Sequence, residues 1–179
     1  VCDALADIAR SAGAKNIFLL RDVPLLDEKM NGQGFRESLK LDGPVLLYIG
    51  NLESYQGIDL LLQSFARLPA TPQASLVIVG GIAKHIEAYR VLASSLGIST
   101  RTHFLGPRPI GDMSALMREA DILVSPRTKG QNTPMKVYSY MASGKAILAT
   151  DLPTHTQALD PACAMLAPPE PKAFTLAMG

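Results

Sequence analysis

The side chains best suited to bind an anion are concentrated in one stretch of the sequence, residues 125–144. Arg127 and Lys129 lie before a predicted short helix, and Lys136 lies in its first turn. The amino end of a helix carries positive partial charge, so a lysine there is unfavourably placed unless an anion binds nearby. We therefore predict that Arg127 and Lys136 contact an anionic ligand, whereas Lys129 alone is interpreted as a solvated surface cation.

The boundaries of this helix are predicted from its capping residues. Thr133 is the expected N-cap and Pro134 the expected first helical residue, because proline needs no N–H group at that position. Gly144 suits the left-handed position after the last turn. The helix would follow one buried strand and lead into another, with its amino end directed toward a phosphate or a polar sugar.

Glycines follow two other apolar runs. Gly50 comes directly after Val45–Ile49 and Gly57 opens the next helix, while Gly80 and Gly81 follow the second run. Without side chains these positions let the backbone approach a ligand, although each glycine can also simply form a tight strand-to-helix turn. Neither G-x-G-x-x-G after the first strand nor G-x-x-x-x-G-K-[ST] occurs, which argues against dehydrogenases and P-loop proteins.

Short apolar runs predict the strands that position these residues. They are Val45–Ile49, Leu76–Val79, Thr102–Leu105, Ile122–Val124, Ala146–Ala149 and Ala164–Leu166. Nearly all-apolar runs are typical of strands buried on both faces, and segments with helical spacing separate them. This alternation predicts an α/β fold, a Rossmann-like parallel sheet with helices on both faces.

Ligands bind such sheets beyond the carboxyl ends of the strands, so the loops after Ile49, Val79, Val124 and Ala149 are the expected site. His155 follows the last of these strands and is a candidate for ligand contact.

Composition excludes several classes of protein. A length of 179 residues suits one domain, and a net charge of +1 gives no general attraction to nucleic acid or to an anionic membrane. Cys2 and Cys163 lie at opposite ends of the chain without metal-ligand spacing, so we expect neither a disulfide framework nor a metal site. No apolar run reaches the roughly 18 residues needed to span a bilayer, and a cytoplasmic setting is expected.

The amino-terminal quarter is interpreted separately from the rest. Residues 2–13 are predicted to form a helix and Asn16–Leu20 a short strand, and residues 1–43 together are assigned to the end of a preceding domain and an interdomain linker. Residues 44–179 then form the ligand-binding domain, truncated within the helix that begins at Pro171.

Residues 44–176 resemble the carboxyl-terminal domain of family-4 retaining glycosyltransferases, which have the GT-B fold. The resemblance rests on ordered motifs: Leu47-Tyr-Ile-Gly-Asn51 followed by Gly57-Ile-Asp-Leu-Leu61, Leu76-Val-Ile-Val-Gly80, Leu96-Gly-Ile98 with Phe104-Leu-Gly106, Ala120-Asp-Ile-Leu-Val-Ser-Pro126, and Lys136-Val-Tyr-Ser-Tyr-Met-Ala-Ser-Gly-Lys-Ala-Ile-Leu-Ala-Thr150.

The resemblance implies sugar transfer from a UDP- or GDP-linked donor to a saccharide or lipid-linked acceptor, with retention and with no metal or other cofactor. The donor would lie between two Rossmann-like domains, held by this one, while an absent amino-terminal domain binds the acceptor. The isolated domain is therefore expected to be inactive. The whole protein is expected in the cytoplasm, with peripheral association at the inner face of the cell membrane compatible with this interpretation.

Polar residues stand where family members carry charged donor-binding groups. The arginine and lysine that contact the diphosphate align with Asn51 and Gln56, and two glutamates eight residues apart align with Gln131 and Ser139. A later glycine pair and glutamate align near Pro153, Thr154 and Gln157. Amides and hydroxyls can still bind sugar hydroxyls, but they cannot stabilise a developing cationic sugar as a carboxylate does.

The resulting candidate site divides into two groups. The catalytic candidates are Arg127, Lys136 and Gln131, and the donor-binding candidates are Gly50, Asn51, Gln56, Gly57, Gly80, Gly81, Asn132, Thr133, Ser139 and His155. Among the cations, Arg127 is expected to replace the missing diphosphate contacts first, helped by Lys136. Two other hypotheses stay open: a catalytically degenerate nucleotide- or sugar-binding module, and a GT-B-type nucleotide-sugar epimerase.

Overall fold

One parallel sheet organises the chain in this computed structural model, which describes residues 2–24, 34–69 and 73–179. Its strands are β1 (Val45–Ile49), β2 (Ser75–Val79), β3 (Thr102–Gly106), β4 (Ile122–Ser125), β5 (Ala146–Thr150) and β6 (Met165–Ala167). They lie in the order β3-β2-β1-β4-β5-β6, and every neighbouring pair is parallel. The predicted fold class is confirmed, and each of the six apolar runs from Val45 to Leu166 lies at a strand.

Helices connect the strands. Those in the described residues are α1 (Asp3–Ser11), α2 (Arg36–Leu39), α3 (Ile58–Phe65), α4 (Ala83–Ser95), α5 (Met113–Arg118), α6 (Lys136–Ala142), α7 (Pro153–Thr156) and α8 (Pro171–Leu176), with 3₁₀ turns at Ser54–Gln56, Ser99–Arg101 and Ile110–Asp112. Within the described ranges no helix combines the length and the apolar character needed to cross a membrane.

Two apolar cores cover the two faces of the sheet. Successive residues of a strand point to opposite faces, so Leu46 and Tyr48 join the core under α3, α4 and α8. Val45 and Leu47 join the core under α5 and α6. Burial on both sides explains why β1 is almost uninterruptedly apolar.

The order of the strands creates one topological switch point. From β1 the chain builds outward through β2 to β3, then returns to place β4 on the other side of β1. The connections leave β1 and β4 toward opposite faces, which opens a crevice beyond their carboxyl ends. The loops predicted to form the site therefore meet there.

The prediction of a strand at Asn16–Leu20 is wrong. These residues form no regular secondary structure in the described part of the chain, and Phe18 is 89% exposed. An apolar run becomes a strand only when another strand supplies hydrogen-bond partners, and the described residues place none beside it.

The described part of the predicted linker packs against the domain. The Phe35 ring is buried in the core that contains Leu47, and the Arg36 guanidinium lies 2.5 Å from a carboxylate oxygen of Asp121. The backbone N–H of Arg36 donates to the carboxylate of Glu119 at 2.7 Å. Residues 34–43 thus belong to the same packed unit as the sheet.

Candidate functional site

A cavity of about 380 Å³ lies at the carboxyl ends of β1, β2 and β3. Four predicted donor-binding residues line it: Gly50, Asn51, Gly80 and Gly81. The other polar lining side chains are Glu53, His85 and the exposed Arg108. The structure therefore brings the two glycine-containing loops together, as the sheet topology requires.

Glycine is needed where these two loops touch. Gly80 has φ 107°, and a Cβ added there would overlap the backbone carbonyl of Gly50. The N–H of Gly50 donates to the carbonyl of Val79 at 3.0 Å, which ties the loops together. A side chain at position 80 would force these backbones apart, so Gly80 shapes the floor of the cavity.

A second cavity of about 170 Å³ adjoins the first and shares its lining residues Ile49, Ile110 and Met113. It is largely apolar and is completed by Met117, Met135, Lys136, Ser139 and Tyr140. The predicted ribose contact, Ser139, is thus half-buried at the edge of the crevice. Its contact with a nucleotide stays a prediction.

The ammonium group of Lys136 is the most unusual feature of the site. Its Nζ is buried with no hydrogen-bond partner among the described residues, and it lies 3.9 Å from the centroid of the Tyr48 ring. It also lies 3.2 Å from the point where a Cβ on Gly50 would be, so it faces the glycine loop after β1. An ammonium group can donate three hydrogen bonds, and this one donates none to the part of the chain that the structure describes.

Burial changes the acid–base properties of Lys136. Loss of hydration, together with the positive charge of Arg127, lowers its pKa to about 7. The electron-rich face of the Tyr48 ring offsets part of this cost. An anion placed beside Nζ would favour the charged amine and raise its pKa again.

Arg127 is buried and already bonded within the protein. Its Nη1 donates to the carbonyl of Asn132 at 3.1 Å and to Oγ1 of Thr154 at 3.3 Å, and its Nη2 donates to Oδ1 of Asn132 at 3.2 Å. Its Nε is buried and has no hydrogen-bond partner within residues 2–24, 34–69 and 73–179. Arg127 therefore holds the loop 126–134 in shape, and Lys136 rather than Arg127 has its hydrogen-bond donors unused.

Neither cation is neutralised by a carboxylate. None of the ion pairs formed among the described residues includes Arg127 or Lys136. Two neighbouring positive groups with little access to water are costly in the absence of an anion. This part of the crevice therefore carries positive charge that no described ion pair compensates.

His155 lies behind the crevice rather than in it. The ring is fully buried, with Nδ1 3.0 Å from the carbonyl of Thr150 and Nε2 2.8 Å from Oγ of Ser125. A carbonyl can only accept, so Nδ1 carries the proton and Nε2 accepts from Ser125. Both nitrogens are engaged, which makes His155 a link between β4 and β5 and leaves it no free atom for a donor sugar.

This burial predicts an acid-sensitive fold. Desolvation lowers the pKa of His155 to about 4 from the ordinary 6.5. Between these values the unfolded chain binds a proton that the folded chain excludes, so the free energy of unfolding should fall as the pH drops from 6.5 to 4. Denaturant unfolding across this range measures the slope, and His155→Asn should lack it. Equal slopes in both proteins would contradict the assignment.

The predicted start of the helix is wrong by two residues. α6 begins at Lys136 instead of Pro134, and the buried Oγ1 of Thr133 makes no capping bond. The preceding turn is tighter than an α-helix, because Val137 N–H bonds to the carbonyl of Pro134, three residues back. Thr133 consequently packs beneath the loop, whereas Gly144, with φ 68°, ends the helix as predicted.

Two predicted donor contacts lie beside the crevice rather than in its lining. A Cβ on Gly57 would overlap the carbonyl of Pro126, so this glycine lets the loop after β4 pack on the start of α3. Gln56 is buried in the adjacent 3₁₀ turn, with its Oε1 unpartnered. In this structure Gly57 and Gln56 lie beneath the loop after β4 and support it.

Gln131 and Asn132 are exposed at the rim of the site. The Asn132 amide oxygen is bonded to Arg127, and the Gln131 backbone carbonyl accepts a hydrogen bond from Gln157 Nε2 at 2.8 Å. The loop that carries them is thus held by side chains from the loops after both β4 and β5.

Sequence reasoning missed Arg108, Tyr48, Ile110 and Met113. The site also includes the loop after β3, whose position the pair Gly106-Pro107 directly after an apolar run indicates in the sequence. Tyr48 is buried within β1, so only the tertiary structure reveals its contact with Lys136. Metal ligation finds no support in the described part of the chain, where no group of three His, Cys, Asp or Glu side chains forms a site.

Comparison with known proteins identifies relatives of this chain. Residues 43–179 match the family model described as group 1 glycosyl transferases. D-inositol 3-phosphate glycosyltransferase of Corynebacterium efficiens is 34% identical over 92 residues, which cover 48% of this chain and 22% of that protein. The chain therefore spans less than a quarter of this relative's length in the match.

Solved structures share the fold. Sucrose-phosphate synthase from Thermosynechococcus elongatus superposes with a TM-score of 0.78 at 20% identity, covering 99% of this chain and 47% of that one. Anabaena HepE, crystallised with UDP and glucose, gives a TM-score of 0.70 at 19% identity and covers 79% and 39% of the two chains. At these identities the likeness extends to the fold.

Proposed function

Because the chain belongs to the group 1 glycosyltransferase family, we propose that its carboxyl-edge crevice binds a nucleoside-diphosphate sugar, as the donor-binding half of a retaining glycosyltransferase. The observation that carries this proposal is the unpartnered ammonium of Lys136, buried beside a second cation at the switch point of the sheet. A diphosphate supplies the negative charge that these groups lack.

The diphosphate would lie over Gly50, within reach of Lys136. The loop after β1 carries no cation, since Asn51 and Gln56 stand there, and its one charged side chain is the exposed Glu53. Backbone N–H groups alone cannot neutralise a leaving diphosphate, so a lysine from α6 is the chemically expected substitute. Lys136 supplies the charge from the opposite wall of the crevice.

The nucleoside and the sugar would occupy opposite ends of the site. The larger cavity, between the loops after β2 and β3, has apolar walls at Ile110 and Met113 for a base, and Ser139 lies where a ribose hydroxyl can reach it. Gln131 and Asn132, at the rim, offer amides to sugar hydroxyls. A UDP- or GDP-linked sugar is the class of donor, in keeping with the UDP bound by HepE.

An amino-terminal domain would provide the acceptor site. The chain covers 47% of sucrose-phosphate synthase and 39% of HepE, which leaves room for a second domain in proteins of that size. Transfer requires that both walls of a cleft position donor and acceptor and exclude water. The 179 residues alone should therefore bind the donor without transferring its sugar.

Calorimetric titration tests the donor site. UDP and GDP should bind the chain at least about tenfold more tightly than uridine and guanosine, because only the diphosphates engage a charged hydrogen bond. A lack of preference for the diphosphates would contradict the proposal. A protein that joins this chain to its amino-terminal domain should then release nucleoside diphosphate from the preferred donor when an acceptor is supplied.

A non-catalytic donor-binding module is the second candidate. An amide and a hydroxyl replace the two family carboxylates at Gln131 and Ser139, and the carboxylate lining the larger cavity, Glu53, lies beside the glycine loop. Tight binding without turnover in the two-domain protein would favour this candidate. Turnover with retained anomeric configuration would favour the enzyme.

A further inference from the structure

The amino end of α1 is capped by a residue 153 positions away. α1 begins at Asp3 and its N-cap, Cys2, makes no side-chain capping bond. Instead the backbone N–H of Ala4 donates to Oε1 of Gln157 at 3.0 Å. The first turn of a helix needs such acceptors, so Gln157 performs the capping task that a serine or an aspartate usually performs locally.

The nitrogen of the same amide holds the loop 126–134. Nε2 of Gln157 donates to the backbone carbonyl of Gln131 and to that of Pro153, both at 2.8 Å. The Gln131 carbonyl also lies 3.5 Å from Sγ of Cys2, which is buried. One side chain thus joins the start of α1, the loop after β5 and the loop that carries Gln131.

These contacts fix the orientation of the amide. The amide oxygen faces an N–H donor and the amide nitrogen faces two carbonyl acceptors. The opposite orientation would place donor against donor and acceptor against acceptor at every contact. A carboxylate at this position could still cap α1, but it could donate nothing to the carbonyls of Gln131 and Pro153. The link therefore depends on an amide specifically.

The link continues toward the buried cations. Asn132 follows Gln131 directly in the chain, and its backbone carbonyl accepts hydrogen bonds from Oγ1 of Thr154 at 2.8 Å and from Nη1 of Arg127 at 3.1 Å. Thr154 lies in α7, three residues before Gln157. Displacement of Gln131 would consequently disturb the anchors of Arg127 as well.

We propose that Gln157 is a positioning residue that couples the docking of α1 to the conformation of the loop 126–134, and thereby to donor binding. The second half of this statement rests on the proposed function. Coupling of this kind is reciprocal, so a donor that orders the loop also strengthens the docking of α1.

Two substitutions of Gln157 distinguish its role as the cap of α1 from its hydrogen bond to the loop 126–134. Gln157→Glu should keep the cap of α1 and break the link to Gln131, whereas Gln157→Met should lose both. Gln63→Glu, the same chemical change on the exposed face of α3, is the matched control. Since Gln157 is only half-buried, all three variants should fold, which their thermal unfolding midpoints check.

Hydrogen exchange provides the direct readout and needs no ligand. Exchange at Ala4 should quicken about fivefold in Gln157→Met and stay near that of the original chain in Gln157→Glu. The N–H of Thr128, in the same loop, donates to the carbonyl of Tyr55 at 2.9 Å, and it should exchange faster in both variants and normally in Gln63→Glu. Unchanged exchange at Thr128 in Gln157→Glu would overturn the proposal.

UDP-sugar titration then tests the connection to the donor. Both Gln157 variants should bind about three- to tenfold more weakly, the range for one lost neutral hydrogen bond, while Gln63→Glu binds normally. Undiminished affinity in Gln157→Glu would reduce Gln157 to a helix cap and overturn the coupling. Failure of the original chain to bind any nucleotide would overturn the donor site and its coupling, whereas the exchange results would still decide whether the link to the loop exists.

Discussion

Lys136→Met should weaken the binding of a nucleoside-diphosphate sugar by about 10- to 100-fold, the range for a charged hydrogen bond, while it stabilises the unliganded chain. Methionine has nearly the volume of lysine and carries no charge, so it can fill the space against Tyr48 without an unpartnered ammonium. We expect the free energy of unfolding to rise by about 1 kcal/mol or more. Calorimetry and denaturant unfolding measure the two effects.

Lys129→Met is the matched control for this prediction. Lys129 lies in the loop before α6 and is exposed, so the same loss of charge should change affinity less than about threefold and hardly affect stability. Equal losses of affinity in the two variants would mean that general charge, rather than the position of Lys136, attracts the ligand. A Lys136→Met chain that is less stable than the original would mean that the ammonium has partners in solution.

Donor affinity and fold stability should change with pH in opposite directions. Lys136 loses its proton near pH 7 in the free chain because burial lowers its pKa to about 7. Binding needs the charged amine, so affinity for a UDP-sugar should fall by about tenfold per pH unit above 7, until the raised pKa of the complex is reached. A diphosphate esterified at both ends lacks the ionisation near pH 6 of a phosphate monoester, so the ligand does not contribute to this slope.

Stability follows from the same group with the opposite sign. The unfolded chain keeps the lysine proton up to the ordinary pKa of 10.5, whereas the folded chain releases it near 7. Between these values the unfolded chain binds more protons, so the free energy of unfolding should increase with pH. Burial and the charge of Arg127 lower the pKa of Lys136, and the Tyr48 ring faces its ammonium group. His155 lies near enough for the lysine charge to lower the pKa of its imidazole.

Two variants isolate the lysine in these measurements. Lys136→Met should remove both slopes, and Lys136→Arg should keep binding independent of pH because a guanidinium does not titrate in this range. Proton uptake on binding, measured by calorimetry in buffers of different ionisation enthalpy, should accompany donor binding at pH 8 in the original chain alone. Parallel curves for the original chain and Lys136→Met would contradict the assignment.

The sequence by itself determined the fold and the location of the site. Apolar runs such as Val45–Ile49 predict buried parallel strands, because a strand covered on both faces has no polar positions to interrupt it. The carboxyl ends of parallel strands share one edge, so Gly50, Gly80 and the loop of Arg127 could be assigned to one crevice from topology alone. Local backbone rules also placed Gly144 correctly at the end of α6.

Only the tertiary structure decided what each side chain does there. Arg127 and Lys136 are equivalent cations in the sequence, but packing commits the guanidinium to Asn132 and Thr154 and leaves the ammonium unpartnered. The position of His155 in the sequence is compatible with ligand contact. In the structure its ring is buried, and its two nitrogens are bonded to Ser125 and Thr150. The cap that Gln157 gives to α1 spans 153 residues, and no local pattern encodes a contact of that range. Burial and hydrogen-bond partners are properties of the packed chain. Residue type and spacing could therefore identify the candidate site residues but could not assign a role to each of them.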